Sequence, residues 1–281
     1  FPRLVYCSIS GFGQTGPRAH EAGYDAVVQA EGGLMSITGD ADGPPFRLGL
    51  AIVDIVTGLF AAQGIAFALI ARERTGRGQF IDIGMLDATA ALLTYQAGIN
   101  FATGEIPRRM GNRHPSIAPY DTFPASDGDL VLAVGNDEQW RRFCTVTGLE
   151  ALAHDERFAT NGARVNHYET LRPMLVETLR HKSRAEWVDR LRAAGVPCGS
   201  VRDIAEVLRD PQLHARGMIQ QLEHAVIGPM RVTGVPVKLS GTPGAVRTAP
   251  PALGQHTRDI LINELGFSEA DVERLRAEGA I

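Results

Sequence analysis

The stretch that decides the fold runs from Arg47 to Leu86 and reads RLGLAIVDIVTGLFAAQGIAFALIARERTGRGQFIDIGML. Its apolar run from Ile55 to Ala71 is too long, and too rich in Ala, Leu and Gly, for a strand, so it predicts a buried helix. The cations Arg72 and Arg74 suit the negative end of the helix dipole, and a turn at 75–78 leads into a strand from Gln79 to Met85. The stretch therefore predicts a helix followed by a strand.

One carboxylate, Asp54, stands at the head of this helix. The pattern supports two interpretations, and the sequence alone leaves both open. Asp is a preferred N-cap residue, which makes a purely structural role plausible. A carboxylate held ionised beside an apolar wall can also attack an acyl carbon, with the first N–H groups of the helix stabilising an oxyanion.

A membrane span is the other alternative for the apolar run. Thr57, Gly58 and Gln63 interrupt it, and at about 17 residues it falls short of the ~20 that a span needs. We therefore expect a core helix of a soluble protein.

The composition narrows the class of protein. A chain of 281 residues holds one large domain or two smaller ones. The formal net charge of −4 comes from dispersed charges of both signs, which favours neither a nucleic acid partner nor a membrane surface. Cys7, Cys144 and Cys198 lack paired spacing, and the histidines are scattered, so we expect no disulfide framework and no metal site. A reducing, cytoplasmic location follows.

The N-terminal part alternates strands, glycine-rich turns and helices. Leu4 to Ile9 predicts a short buried strand of a parallel sheet. The next segment, Gly11 to Gly16, is a literal G-x-G-x-x-G, but no apolar helix opens on its third glycine. It is better interpreted as a tight turn at the carboxyl end of a strand than as a dinucleotide site. Helices are expected at Tyr24 to Ala30 and Asp87 to Phe101.

A segment rich in Pro, Gly and Arg at 101–119 reads as a linker. Beyond it the pattern predicts strands at 120–123, 129–134, 196–201, 230–232 and 235–239, and helices at 139–147, 169–181, 185–194, 203–208, 257–265 and 268–278.

The chain resembles the class III CoA-transferase family, which includes formyl-CoA transferase, carnitine CoA-transferase and the succinyl-CoA-dependent dicarboxylate transferases. The motifs that carry the resemblance keep the family's order and spacing along the whole chain. They are SGFGQTGP (Ser10–Pro17), AGYDAVVQAEGGLMSITG (Ala22–Gly39), the segment around Asp54, TGRGQFIDIGML (Thr75–Leu86) and PALGQHT (Pro251–Thr257).

The resemblance implies an α/β fold with a Rossmann-like large domain, whose N-terminal part is apparently missing, and a smaller α+β domain. Residues 1–100 would be the C-terminal part of the large CoA-binding domain, 101–119 a linker, 120–219 the small domain, and 220–281 a linker and return to the large domain. Members of the family form interlocked homodimers, which we expect only of the full-length chain. Without the upstream segment, weak CoA binding is expected.

The function implied is transfer of CoA from an acyl-CoA donor to a free carboxylic acid. Asp54 would form a mixed anhydride and then an aspartyl-CoA thioester. Coenzyme A enters as a thioester substrate, with no permanently bound cofactor and no metal. The partners are an acyl-CoA and a small carboxylic acid, with no nucleic acid and no membrane. Two alternatives remain, an acyl-CoA isomerase or racemase on the same scaffold and an inactive truncated remnant.

The resemblance also assigns residues to the site, each with a structural alternative. Tyr24, with Gly23 and Ala22, would lie at the CoA-binding mouth, although a partly buried Tyr on a helix face is equally ordinary. The family's racemases carry His where this chain has Tyr24, which favours the transferase. Met85 would line the thiol arm or simply fill the core. Asn112, His114 and Ser116 would meet a substrate carboxylate, or His114 is merely a polar surface residue.

Overall fold

The protein is a mixed α/β structure of two compact units, Phe1–Val201 and Arg202–Ile281, in a computed structural model that describes all residues from Phe1 to Ile281. The first half of the first unit consists of β1 (Tyr6–Ser10), α1 (Asp25–Glu31), α2 (Leu34–Ile37), α3 (Ile52–Thr75), β2 (Phe80–Gly84), α4 (Met85–Leu92) and α5 (Thr94–Thr103). Its second half consists of β3 (Tyr120–Ala125), β4 (Gly128–Ala133), α6 (Asp137–Thr147), α7 (Glu150–His154), α8 (Asn161–Asn166), α9 (Tyr168–Leu179), α10 (Arg184–Ala193) and β5 (Cys198–Ser200).

The second unit is smaller and is built around a hairpin. It contains α11 (Ile204–Leu208), α12 (Pro211–Ala215), β6 (Ile219–His224), β7 (Gly228–Thr233), α13 (Thr257–Asp259), which continues as a π-helix (Ile260–Glu264), and α14 (Glu269–Ala277). The strands β6 and β7 pair antiparallel, from Ile219 opposite Thr233 to His224 opposite Gly228.

A parallel strand pair carries the N-terminal motifs. β1 and β2 pair from Tyr6 opposite Phe80 to Ser10 opposite Gly84. Parallel neighbours need a crossover connection, and α1, α2 and α3 supply it. The predicted parallel pairing is confirmed, but the expected burial of the first strand is wrong, since Tyr6 and Ile9 are 57 and 54% exposed. Both strands point their carboxyl ends at the loop that contains Gly11 to Gly16.

One face of α3 is packed with small side chains. Val53, Thr57, Ala61 and Ala68 are buried, at intervals of four, four and seven residues that place them on one side of the helix. Gly64 lies on the same side, where an added Cβ would meet the Ile81 side chain of β2 at 3.3 Å. The small residues allow this face to approach the strands and α4 closely.

The expectation that α3 is buried is wrong for its opposite face. Ile55, Leu59, Phe67 and Ile70 are 50, 65, 62 and 56% exposed. They fall within about 120° of the helix circumference, since each residue advances the helix by about 100°. The sequence shows an apolar residue at each position, but only the face toward β1, β2, α1 and α4 has a partner in this chain. By length and composition α3 is able to cross a membrane, and one such helix is weak evidence for a span.

The second half of the first unit has its own core. β3, β4 and β5 form an antiparallel sheet, and Phe123 and Leu130 from it pack with Trp140 and Phe143 of α6. Arg164 is fully buried beside this cluster, where it donates to the carbonyl oxygens of Ala118 and Phe158 and to Asp137.

A second buried pair stiffens the same half. The Tyr168 hydroxyl donates to Asp121 at 2.7 Å, and Arg172 donates to the same carboxylate oxygen at 3.1 Å. Burial raises the pKa of Tyr168 above its usual range, and the hydrogen bond to Asp121 adds to that shift.

Two element predictions need correction. The single helix expected at 87–101 is two helices, α4 and α5, which meet at Thr94, a residue with a positive φ of 41°. The strand expected at 235–239 is irregular. Pro236 has no N–H to donate to a strand ladder, so an apolar alternation there lacks a partner.

Candidate active site

Asp54 is the third residue of α3, and its side chain is exposed. The helix begins after Ala51, which makes no side-chain cap, and Asp54 makes no capping hydrogen bond either. The structural interpretation, in which Asp54 caps its own helix, is therefore not what the structure shows. Its carboxylate is open to a ligand.

Another carboxylate, Asp25, caps α3. One of its oxygens, Oδ1, accepts a hydrogen bond from the Val53 N–H at 2.9 Å. Its second oxygen, Oδ2, accepts from Gln29 Nε2 at 2.6 Å, and Gln29 Oε1 accepts from the Leu48 N–H at 2.9 Å. The Gln29 side chain also reaches the Leu50 carbonyl at 3.4 Å and is completely buried. Sequence reasoning missed these roles, although an acid and an amide at i and i+4 in AGYDAVVQA were the available signal.

The N–H groups at the start of α3 are mostly engaged. Ile52 donates to the Leu50 carbonyl at 2.9 Å, Val53 donates to Asp25, and Ile55 donates to the Ala51 carbonyl at 3.1 Å. The N–H of Asp54 itself has no partner among the hydrogen bonds of this turn. The predicted set of oxyanion donors therefore shrinks to this one N–H.

The loop from Gly11 to Gly16 closes tightly over the ends of β1 and β2. The Gly13 N–H donates to Ser10 Oγ at 3.0 Å, and the Gln14 N–H donates to Asp82 Oδ2 at 2.9 Å. Gly11 accepts from the Leu86 N–H at 3.0 Å, which ties the loop to the start of α4. Its location is the one predicted, a turn at the carboxyl end of a strand. These two N–H groups are satisfied internally and are not free to cradle a phosphate.

The segment Ala22–Tyr24 lies against this loop. A Cβ on Gly11 would lie 2.6 Å from the Cα of Gly23, so the two backbones approach as only glycines allow. Tyr24, which follows, is 75% exposed. Its exposure makes it available to a ligand and argues against the partly buried alternative.

Met85 belongs to the core. It is 7% exposed and packs in one cluster with Val28, Leu34 and Val53. The structural alternative for Met85, core filling, describes this packing. The same cluster contains Val53, the neighbour of Asp54, and the Val53 N–H donates to Asp25, the neighbour of Tyr24. Tyr24 and Asp54 are thus each one residue away from this hydrogen bond.

Two of the three predicted substrate residues, Asn112 and His114, line a separate cleft of about 250 Å³, and Ser116 is not part of its lining. Its wall contains Asn112, His114 and the unpaired Arg108, and the His114 ring stands between the rings of Tyr95 and Tyr120, with centroids 6.0 and 5.2 Å away. Asp54 does not line this cleft.

The orientation of the His114 ring is fixed by its neighbour. The Ser116 N–H donates to His114 Nδ1 at 3.2 Å, so a neutral imidazole carries its hydrogen on Nε2. Ser116 thereby acts on the ring of His114, and its side chain is exposed.

The fold and this geometry define an α/β protein with an exposed carboxylate at the start of an apolar helix. The sequence profile of CoA-transferase family III matches residues 1–257. The chain therefore belongs to CoA-transferase family III.

Relatives with assigned activities are similar over most of this chain. A succinate–glutarate CoA-transferase from Agrobacterium fabrum is 44% identical over 92% of this chain and 65% of its own length. An acetyl-CoA:oxalate CoA-transferase from Acetobacter aceti is 45% identical over 85% of this chain and 61% of its own length. The mouse succinyl-CoA:glutarate CoA-transferase is 38% identical over 100% of this chain and 64% of its own length. The chain thus spans less than two thirds of the length of these relatives.

A solved structure supports the fold assignment. The crystal structure of a CAIB/BAIF family protein from Brucella suis superposes with a TM-score of 0.82 and 41% sequence identity, over 93% of this chain and 68% of that protein. The mixed α/β architecture described above is therefore that of this family.

Proposed function

We propose that this chain carries the nucleophile of a class III CoA-transferase, which moves CoA from an acyl-CoA to a free carboxylic acid. The observation that carries the proposal is that two carboxylates lie at the start of α3 and only one of them caps the helix. Asp25 caps the helix, and Asp54 is left exposed and without a capping bond. A carboxylate that serves no structural hydrogen bond is free to act as a nucleophile.

The proposed reaction exchanges one thioester for another. An oxygen of Asp54 attacks the carbonyl carbon of the donor thioester, and the C–S bond breaks. CoA leaves as a thiolate, and the donor acyl group remains on Asp54 as a mixed anhydride. The thiolate attacks the Asp54 carbonyl carbon, which gives aspartyl-CoA and releases the donor acid. The acceptor carboxylate then attacks aspartyl-CoA, and the thiolate returns to the new acyl carbon, which restores Asp54. Covalent catalysis divides one hard step into easier ones.

The transition states need little beyond positioned groups. Each attack places negative charge on an oxygen, and the unpartnered N–H of Asp54 is the donor that the first turn of α3 leaves open. Coenzyme A enters as a thioester substrate, and the proposed cycle uses no permanently bound cofactor.

We assign short carboxylic acids, dicarboxylates first, as donor and acceptor. The relatives' names specify succinate, glutarate and oxalate. The cleft at His114 supports this choice, because Asn112, the Nε2–H of His114 and the cation of Arg108 suit a carboxylate. Tyr24 and Gly23 would hold the CoA end near Asp54.

The wider arrangement also follows the family. We propose that 1–100 is the C-terminal part of a Rossmann-like large domain, 101–119 a linker, 120–219 a small domain and 220–281 the return to the large domain. The assembled enzyme would be an interlocked homodimer. The three free cysteines of this chain suit a reducing cytoplasm.

Trapping the anhydride tests the proposal. The 281-residue chain is mixed with succinyl-CoA, glutarate and hydroxylamine, and its peptides are weighed by mass spectrometry. Hydroxylamine converts an activated carboxylate into a hydroxamate, which we expect on Asp54 and which Asp54→Asn should abolish.

The matched control is Asp87→Asn. Asp87 is also an exposed carboxylate at the third position of its helix, α4, so its loss should leave trapping unchanged. A hydroxamate on another carboxylate, or full transfer activity in Asp54→Asn, would overturn the assignment.

A further inference from the structure

We infer that Asp25 and Gln29 form a hydrogen-bond relay that positions Asp54 for attack. The inference rests on the proposed function, because it concerns the reactivity of Asp54. The relay runs from the Leu48 N–H through the amide of Gln29 and the carboxylate of Asp25 to the Val53 N–H. It thus ties both sides of the turn before α3 to a single side-chain pair on α1.

The direction of each hydrogen bond is set by the backbone at the two ends. Leu48 and Val53 offer N–H groups, so both ends of the relay must accept. Gln29 meets this demand by accepting with Oε1 and donating with Nε2, and Asp25 meets it by accepting with both oxygens. No other assignment of an acid and an amide in this order satisfies all three bonds.

Burial makes this arrangement rigid. Gln29 is completely buried, and Val53, whose N–H donates to Asp25, is 1% exposed within the cluster that contains Met85. A wrongly directed hydrogen bond in such a place leaves a polar group unsatisfied, and the backbone shifts to relieve it. Asp54 is covalently next to Val53, so a shift of the turn displaces the exposed carboxylate directly.

The role is one of positioning. Asp25 and Gln29 act on Asp54 through the backbone, and the acyl carbon meets Asp54 alone. A displacement of about 1 Å at a reacting group costs up to about a hundredfold in rate. We therefore expect Asp25→Asn and Gln29→Glu each to slow hydroxamate formation at Asp54 by roughly tenfold to a hundredfold.

The exchanged pair provides the rescue. In the double variant Asp25→Asn/Gln29→Glu, the carboxylate stands at position 29 and the amide at position 25. One carboxylate oxygen accepts from the Leu48 N–H, and the other accepts from the amide nitrogen. The amide oxygen accepts from the Val53 N–H. All three bonds are restored with their partners reversed. Only the long contact from Gln29 to the Leu50 carbonyl, 3.4 Å, is lost. We expect the double variant to recover most of the lost rate.

Charge does not explain this pattern. Asp25→Asn removes a negative charge near Asp54, and Gln29→Glu adds one, so an electrostatic effect would move the two single variants in opposite directions. The relay predicts that both become slower. The double variant keeps the net charge of the unmodified chain.

A second readout needs no turnover. The coupling of Asp54 to a water-soluble carbodiimide and an amine is followed by peptide mass, with Asp87 in the same sample as the reference. Amide hydrogen exchange at Leu48 and Val53 is measured in parallel. We expect both single variants to change the Asp54 rate relative to Asp87 and to speed exchange at these two amides, and the double variant to restore both quantities.

The outcomes separate the relay from the proposed function. If the unmodified chain forms no hydroxamate at Asp54, the proposed function fails, and carbodiimide coupling and hydrogen exchange alone judge the relay. Single variants that melt at lower temperature but keep the Asp54 rates would reduce Asp25 to an ordinary cap. A folded double variant as slow as the singles would overturn the relay, and Asp203→Asn, at the cap of α11, serves as the control for loss of a capping charge.

Discussion

Asp25 and Asp54 lie at the same end of one helix, yet their surroundings give them different tasks. Both oxygens of Asp25 accept hydrogen bonds, one from the Val53 N–H and one from Gln29 Nε2. Asp54 makes no capping hydrogen bond and lies exposed in the first turn of the helix. A chemical role for one carboxylate is possible here because the other already satisfies the backbone.

The proposed transferase function makes a prediction about Tyr24, because the alternative function, an isomerase, requires a proton-transfer base. An imidazole exchanges protons readily at neutral pH, whereas a phenol does so poorly. A 2-methylacyl-CoA labelled with deuterium at its α-carbon should therefore keep its label when it is incubated with this chain. Proton NMR of the recovered thioester measures the exchange.

The variant Tyr24→His is the informative comparison for that experiment. Tyr24 is 75% exposed, so the replacement fits without repacking, and any washout that appears only in the variant is due to the imidazole. Rapid loss of deuterium with the unmodified chain would instead favour an isomerase.

The sequence predicted Asp54 as a candidate site residue, but it did not predict that Asp25 caps the helix beside it. An Asp before a long apolar run is visible as a pattern, because the pattern is local. The cap from Asp25 joins positions 28 residues apart, and the contact exists only once α1 and α3 pack together. The residue types within one turn therefore predict that a helix begins there with free N–H groups. Which side chain accepts from those N–H groups is decided by the tertiary structure.

At the scale of elements, the packing of α3 against the strands requires small residues only on the face that contacts them. An added Cβ at Gly64 would meet Ile81 at 3.3 Å, while one at Gly58 would meet nothing within 4 Å. We expect Gly64→Val to lower the free energy of unfolding by about 1–3 kcal/mol through overpacking. Gly58→Ala should raise it by up to about 1 kcal/mol through helix propensity.

Urea unfolding of both variants, followed by circular dichroism, measures the difference. The two substitutions lie in the same helix, so a general intolerance of α3 to change would destabilise both. Equal effects of the same sign would contradict the packing of Gly64 against β2.

The buried Arg164 stabilises the second half of the first unit. It donates to two carbonyl oxygens and to Asp137 from a fully buried position. Arg164→Met leaves those carbonyls unsatisfied, and we expect a loss of at least about 3 kcal/mol in the free energy of unfolding. Thermal unfolding should show the loss, and Arg157→Met, at an exposed ion pair with Asp155, should leave the midpoint nearly unchanged.

Element boundaries were predictable where the pattern is strong. Periodicity located α3, α6, α9 and α10, because apolar residues at helical spacing report a buried face. It missed the break at Thr94, since Leu93 and Thr94 interrupt no apolar pattern. Periodicity also overestimated the burial of α3. An apolar residue favours burial, but the sequence does not show whether another element of this chain covers it.

At the scale of the whole molecule, the two ends of α3 serve different purposes. Asp54 lies in the first turn, and Arg72 and Arg74 lie in the last. A helix of 24 residues is about 36 Å long at 1.5 Å per residue, so these cations are distant from Asp54, the proposed nucleophile. Recognition of a substrate carboxylate therefore has to come from other residues, and the cleft with Arg108 and His114, which Asp54 does not line, offers one cation.

The exposed face of α3 should govern the solution behaviour of this chain. Ile55, Leu59, Phe67 and Ile70 form one apolar stripe, defined by their exposure on the side opposite the sheet. Exposed apolar surface of this kind drives association, because burying it releases water. We expect the chain to self-associate, and Leu59→Lys/Phe67→Lys to shift it toward the mass of a single chain in size-exclusion chromatography with light scattering.

The control for this shift is a charge placed on apolar surface elsewhere. Val226, at the tip of the β6–β7 hairpin, is 72% exposed and lies outside the stripe, so Val226→Lys adds a cation without interrupting it. Association should persist in that variant. If Val226→Lys dissociates the chain as effectively as the double substitution, general charge repulsion rather than the α3 stripe controls association. An unmodified chain that already runs at the mass of one copy would show that the stripe is too small to hold a second chain.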